Sequence, residues 1–253
     1  MKKRNLLSIL LMLFIGFSAC EKEEIQEEQG GDETTTVRLI KQIKLFGDEG
    51  EEFSLDISYN SQDSSIIEII ASGGDIVYST TTYTYPSENT MIWKVEYEDG
   101  DEFNENITFN SDGSIASFAD GTSPIKYSNG YLQEIEESLG SGKKYTWDNE
   151  NIKTMEESGT YTLEYGALLN KPISIDIVHC LLIVDDMYPM AWGWLGKSTK
   201  NLPVKVSYAV EGYPEDNEVK VYRYETDSEG YITKIHQRIN NGVEELMLAV
   251  KYE

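Results

Sequence analysis

Residues able to do chemistry are few and scattered in this 253-residue chain, which holds two His and two Cys. His179 and Cys180 are neighbours, and in an extended chain neighbours point to opposite faces, so their spacing disfavours a thiol-imidazole pair. His236 follows Lys234-Ile235 in an alternating run, which places it on the solvent side. There is no His-Glu-x-x-His, no Gly-x-Ser-x-Gly, and no partner cysteine to complete a metal set with Cys180. Ala191-x-x-x-x-Gly196-Lys197-Ser198 imitates a phosphate loop, and Leu182-Ile183-Val184-Asp185 imitates a strand ending in a magnesium-binding Asp. A working phosphate loop needs small, glycine-rich residues so that backbone N-H groups can wrap the phosphates, whereas this one carries Trp192 and Trp194, so no nucleotide is expected. Carboxylates number 45, and any two could be proposed for glycoside hydrolysis; an exported hydrolase using acidic residues is the alternative reading, resting on abundance alone. The acidic runs Glu98-Asp99-Gly100-Asp101-Glu102 and Asn110-Ser111-Asp112-Gly113 do not match the twelve-residue calcium loop and read as solvated hairpin tips. No metal and no cofactor are expected.

The elements that would position these residues are strands. Val37 to Leu45, Phe53 to Tyr59, Ile173 to Ile177, Val204 to Tyr208 and Val219 to Tyr224 largely alternate apolar and polar residues. That is the mark of antiparallel strands with one face on a core and one in water. Asp112-Gly113, Asn129-Gly130, Asp148 to Asn151, Glu229-Gly230 and Asn241-Gly242 supply the positive φ that tight hairpins need. Around these turns runs a repeat in which an aromatic ends one strand and aliphatic-x-x-apolar opens the next. Its copies are Phe109…Ile115…Phe118, Tyr127…Leu132…Ile135, Trp147…Ile152…Met155 and Tyr224…Ile232…Ile235. One repeat is one hairpin, and hairpins cannot bury their own apolar faces, so they stack into a meander whose edges are best removed by closure. The expected fold is all-β: an up-and-down antiparallel meander of about twelve strands curled into a barrel or incomplete barrel.

One segment breaks the alternation. Between Val178 and Pro203 apolar residues crowd together, with Trp192 and Trp194 two apart. It reads as an irregular or short helical piece that plugs one end of the barrel and buries Cys180, Leu182 and Trp194. Tyr188, Trp192 and Trp194 are also the candidates for a ligand platform, because clustered aromatics on irregular backbone suit sugar rings or lipid.

The N-terminus addresses the chain. Lys2, Lys3 and Arg4, an apolar run from Leu6 to Phe17 and small residues before Cys20 form an export signal over residues 1–19. The apolar run is shorter than the ~20 residues of a spanning helix. Phe17-Ser18-Ala19-Cys20 resembles a bacterial lipobox, in which the signal is cut before a cysteine that is then acylated. The following Lys22-Glu23-Glu24 resembles the export signal that carries Bacteroidetes lipoproteins to the outer face of the outer membrane. Residues 20–36 form an acidic linker too poor in apolar residues to fold alone, and residues 37–253 a single barrel-like domain. Loss of Lys2, Lys3 and Arg4 takes 21 basic residues to 18 against 45 acidic ones, a net −27. Such a field repels nucleic acid and anionic headgroups, leaving the outer-membrane lipid on Cys20 as the anchor.

Trp194 to Pro203, with Lys144 to Ile152, Asn170-Lys171-Pro172 and Tyr224 to Ile235, resembles a Bacteroidetes lipoprotein family, domain of unknown function 4595, described as porin-like in fold. The resemblance spans roughly Phe109 to Glu253 and implies an antiparallel, barrel-like sheet containing the irregular segment; it implies no activity. A true porin shows lipid an apolar band, whereas Glu134, Glu136, Lys220, Arg223 and Glu225 suggest a wall that faces water. Together these features predict a surface-tethered lipoprotein that is not an enzyme, binding an unidentified small molecule, glycan or partner protein.

Overall fold

The computed structural model describes residues 37–47, 51–118, 125–136, 142–176 and 194–253. The expected signal, Cys20, Lys22, Glu23, Glu24, His179, Cys180, Leu182, Tyr188 and Trp192 lie outside the described residues. Sixteen strands follow in order: β1 (Ile40–Phe46), β2 (Glu52–Tyr59), β3 (Ile66–Gly73), β4 (Ile76–Ser87), β5 (Thr90–Tyr97), β6 (Glu102–Phe109), β7 (Ile115–Phe118), β8 (Ile125–Ser128), β9 (Tyr131–Ile135), β10 (Lys143–Asp148), β11 (Asn151–Glu156), β12 (Thr160–Leu169), β13 (Asn201–Ala209), β14 (Glu218–Thr226), β15 (Ile232–Ile239) and β16 (Glu245–Tyr252). The expected all-β antiparallel meander is the fold found, with sixteen strands where length suggested about twelve. The N-terminal half is hairpin throughout, and tight turns use little chain.

All pair in one antiparallel sheet, and β1 pairs with β16, so the two ends of the chain close the middle of the sheet. Among the described residues the free edges are β7 and β8, which face each other across the seam of a nearly closed barrel. Because the strands alternate in direction, their connections alternate between two ends. One end, hereafter the ring end, carries the turns after the even-numbered strands together with the start of β1 and the end of β16. The other, the mouth, carries the turns after the odd-numbered strands.

The repeat seen in the sequence builds the ring end. In a regular strand residues i and i+3 face opposite sides, yet Ile40 and Ile43, Ile66 and Ile69, Ile115 and Phe118, Ile152 and Met155, and Ile232 and Ile235 are all buried. A β-bulge between the members of each pair makes this possible: the register shifts at Ile40/Gln42, Ser58/Tyr59, Thr108/Phe109, Thr146/Trp147 and Glu225/Thr226. The extra residue turns the opening aliphatic back into the core. The aromatic that ends a hairpin then donates to the carbonyl of the aliphatic that opened the strand beside it. Tyr59 Oη donates to Ile40 O (2.8 Å), Tyr85 to Ile66 O (3.0 Å), Tyr165 to Ile152 O (2.8 Å) and Tyr252 to Ile232 O (2.7 Å). Trp147 Nε1 does the same to Leu132 O at 2.7 Å. Burial holds Tyr59, Tyr85, Tyr165 and Tyr252 well above the usual phenol pKa, so they remain donors.

The outward faces carry cross-strand polar pairs. Lys94 meets Glu96 on its own strand and Glu102 on the strand beside it, Lys126 meets Glu134 and Glu136, Lys205 meets Glu164, and Arg223 meets Glu244. Thr146 and Thr154 pair at 2.6 Å. His236 sits on this wall, its Nε2 2.8 Å from Glu225 Oε1, and hydrogen bonds from Lys234 and then His236 hold the Glu225 carboxyl down at about 2. Two expectations are corrected. Lys220 lies opposite Val206 and faces inward, because β14 spends its inward positions on Tyr222 and Tyr224 and turns its valines out. The run from Ile173 is no strand: Ile173, Ser174, Ile175 and Asp176 are all buried, and its one sheet-like contact is an isolated parallel bridge to Arg38. Alternation there reflects a chain enclosed on every side.

Each ring hydroxyl contributes about 1 kcal/mol as a net hydrogen bond. Tyr59→Phe removes two bonds, to Ile40 O and Ser174 Oγ, whereas Tyr85→Phe removes one. Urea unfolding should show about 2 kcal/mol lost in the first variant and about 1 in the second.

Candidate functional site

The connection from β12 to β13 enters the ring end and closes it. Its two described limbs, residues 170–176 and 194–200, meet where Asn170 N donates to Lys200 O (2.9 Å), and each is otherwise held by strand ends. On the first limb Ser174 Oγ accepts from Ile40 N (2.8 Å) and bonds Tyr59 Oη (2.7 Å). Ser174 N donates to Arg38 O, and Arg38 N to Pro172 O. The Arg38 guanidinium pairs with Asp227 and Glu229 and stacks over Tyr231 and Tyr252, and Lys171 Nζ donates to Glu229 O. The first strand's lead-in thus clamps the plug to the β14–β15 turn.

The second limb seals the seam. Trp194 O accepts from Ile115 N at the edge of β7 (2.8 Å) and from Tyr127 Oη on β8 (3.3 Å). Gly196 bridges Tyr131, and Lys197 N donates to Gly130 O at 2.7 Å. Lys197 Nζ sits over the Tyr131 ring, the Lys200 backbone and ammonium both reach Glu150, and Asn151 and Asn201 exchange two hydrogen bonds. The phosphate-loop imitation therefore has a structural purpose. Gly196 takes φ +84° and lies so near Gly130 that a Cβ would collide with that carbonyl oxygen. Lys200 helps hold Glu150 at φ +65° in the two-residue turn before β11.

Of the three aromatic candidates only Trp194 is described. It is 1% exposed and packed edge-on between Tyr83 (6.3 Å) and Phe109 (5.1 Å), with Leu195 buried beside it. As placed, its ring meets protein on every side.

Sequence reading missed a polar strip on the inner wall. Ser79, Thr81 and Tyr83 alternate along β4 with their side chains inward, and Trp93 lies opposite Tyr83 on β5. The polar atoms of these four, and of Tyr145 on β10, are buried without a hydrogen-bond partner among the described residues. Such a concentration is unusual, because buried polar groups are nearly always paired. Burial pushes the Tyr83 and Tyr145 phenols up, so the strip offers neutral hydrogen bonds and no proton chemistry near neutral pH. The Thr81 signal was present as alternation in the Thr-rich run Ser79 to Thr84, but the buried face cannot be told from the wet one when both carry hydroxyls. Nearer the mouth, Lys143 and Glu157 form a buried ion pair at 3.3 Å, with side chains 7% and 11% exposed.

Acids in the turns serve the turns. Asp112 Oδ1 accepts from the amide and hydroxyl of Ser114, which lowers its pKa, and Asp99 Oδ1 accepts from Asp101 N. Among the described residues no three His, Cys, Asp or Glu side chains group closely enough to hold a metal ion.

Two substitutions separate packing from polarity here. Gly196→Ala should lower stability by more than about 1 kcal/mol, from the left-handed backbone and the collision with Gly130. Thr81→Val removes an orphaned hydroxyl at nearly constant shape and should leave the melting temperature unchanged or raise it; a fall would reveal a bound water or ligand on that oxygen.

No family model and no curated protein matches this sequence. Among solved structures the chain is similar to a porin-like protein from Bacteroides uniformis, at 18% identity and a TM-score of 0.57 over 85% of this chain and 98% of that one. A second, a porin-like protein from Bacteroides vulgatus, matches at 13% identity and a TM-score of 0.42 over 85% and 99% of the two chains. The first likeness agrees with the fold derived above: this is a porin-like, all-antiparallel barrel.

Proposed function

We propose that this protein is a lipid-anchored barrel of the Bacteroidetes outer membrane, facing the cell surface and acting as a non-enzymatic module that binds a small molecule, glycan or partner protein. The observation that carries the reading is the wall. Its cross-strand ion pairs and hydroxyl pairs suit water, and a charged side chain facing lipid at mid-bilayer costs about 2–4 kcal/mol. A barrel with such a wall needs a separate anchor, and the cysteine at position 20 behind an export signal supplies one. The porin-like neighbour from Bacteroides uniformis and the resemblance to domain of unknown function 4595 agree with that compartment.

Recognition rather than turnover fits the interior. Its orphaned groups are neutral donors and acceptors, and the buried Glu157 is engaged by Lys143. Tyr188 and Trp192 remain the proposed ligand-facing aromatics, whereas Trp194 belongs to the core.

Intact-mass analysis of membrane-extracted protein should show the acylated form starting at Cys20, lost in Cys20→Ala. Extracellular protease should remove the wild-type protein from intact cells. A thermal-shift screen of the chain from Glu21 against glycans, bile acids, lipids and peptides should give a stabilising ligand whose effect Trp192→Ala abolishes. A ligand at about 100 times its Kd adds about 2.7 kcal/mol. Turnover of any glycan in that screen would replace this reading with the hydrolase.

A further inference from the structure

We infer that the barrel stands on its membrane with the plugged ring end towards the lipid headgroups and the mouth turned away, so that the mouth is the end offered to soluble partners. The inference rests on the lipid anchor proposed above and adds a direction to it.

Two independent observations carry it. The first is where the chain leaves the barrel. Val37 and Arg38 emerge at the ring end, where the lead-in is fixed by the backbone bonds from Arg38 N to Pro172 O and from Ser174 N to Arg38 O. The Arg38 guanidinium adds its pairs with Asp227 and Glu229 and its stacking at 5.0 and 4.5 Å over Tyr231 and Tyr252. The tether cannot shift its point of attachment along the wall without breaking this clamp. From Cys20 to Thr36 there are seventeen residues, which reach at most about 60 Å when fully extended. Reach alone would let the barrel invert. Inversion would use some 25 Å of that reach to run the acidic linker past the acidic wall, as strands of eight residues rise about 3.3 Å per residue.

Charge is the second observation. Every Lys or Arg in a described connection lies at the ring end: Arg38, Lys171, Lys197 and Lys200. The described connections of the mouth carry Glu98, Asp99 and Asp101 after β5, Glu211, Glu215 and Asp216 after β13, and Glu244 after β15, with no Lys or Arg among them, whereas at the ring end the four cations partly offset acids such as Asp63, Glu88, Asp112, Glu150, Asp227 and Glu229. A bacterial outer surface is rich in phosphate and carboxylate, and a field of this asymmetry turns the more acidic end away from it. Because the headgroup field decays within about 8 Å at physiological salt, only the near end of the barrel feels it, so the weaker repulsion of the ring end acts as an orienting torque.

The experiment places single fluorophores on exposed turn residues of the full-length acylated protein in vesicles of phosphatidylglycerol and phosphatidylethanolamine carrying nitroxide-labelled lipid. Ser61→Cys and Ser111→Cys report on the ring end, Glu215→Cys and Val243→Cys on the mouth. Quenching should be several-fold stronger at the two ring-end sites, and the contrast should shrink as salt rises. Equal quenching at both ends, or stronger quenching at the mouth, overturns the inference. Intact mass of the same sample tests the anchor by itself. If Cys20 proves unacylated, the same four labels on a chain tethered through a polyhistidine segment at position 20 to nickel-chelating lipid still read the orientation, so the two ideas fail separately.

Discussion

The hydrogen bond from a strand-ending aromatic to the carbonyl of the neighbouring hairpin's first aliphatic is the constraint on which the rest of this barrel depends. It joins residues 13 to 20 apart in sequence within the sheet, as from Tyr165 to Ile152 and from Tyr252 to Ile232. A bulge at each crossing makes it possible by turning two residues three apart to the same side. Tyr224 extends the pattern past the long connection by donating to Pro203 O at 2.5 Å. Tyr59 carries it across the closure, since its acceptor belongs to β1, which in turn pairs with the last strand. Repetition of one local device thus closes a sheet that no single hairpin could bury.

A ring built in this way leaves an end that must be filled. The β12–β13 connection fills it with Ile173, Ile175, Trp194 and Leu195 and satisfies the exposed strand termini with Ser174, the Trp194 carbonyl and Gly196. The same segment spans the seam between β7 and β8, the place where an unpaired edge would otherwise invite another chain. What looks in sequence like a phosphate-binding or ligand-binding cluster is, over its described part, a seal. The chemistry of the interior that remains is the polar strip along β4 and β5 and the Lys143–Glu157 pair. An uncompensated charge in such a place would cost several kcal/mol, and both members are present.

The two ends of the molecule differ in kind. One is plugged, carries the start of the first strand and the end of the last, and holds the connection cations; the other is a rim of acidic turns without Lys or Arg among its described residues. This division follows from an even number of antiparallel strands, which returns the last strand to the end where the first began. A tether joined to the lead-in of β1, as proposed above, would act on the sealed end and leave the opposite end for encounter with other molecules.

Much of this was legible in the residues. Alternation, Asn-Gly and Asp-Gly turns and the aromatic-aliphatic repeat specified antiparallel hairpins, because side-chain period and positive φ are local properties. The repeat was visible where its turn was short, at Tyr127 to Leu132 and Trp147 to Ile152. It was hidden at Tyr59 to Ile66, behind a six-residue turn, and at Tyr252 to Ile40, whose members lie at opposite ends of the chain. The run from Ile173 was misread because alternation records burial and not pairing. By itself the sequence determined the class of fold and the turns, both of which rest on neighbouring residues. Only the tertiary structure decided the closure of β1 on β16, the inward turn of Lys220, the burial of Trp194 and the orphaned strip of Ser79, Thr81, Tyr83 and Trp93. Each of these depends on which distant strand lies alongside, and that is set by the packing of the whole barrel.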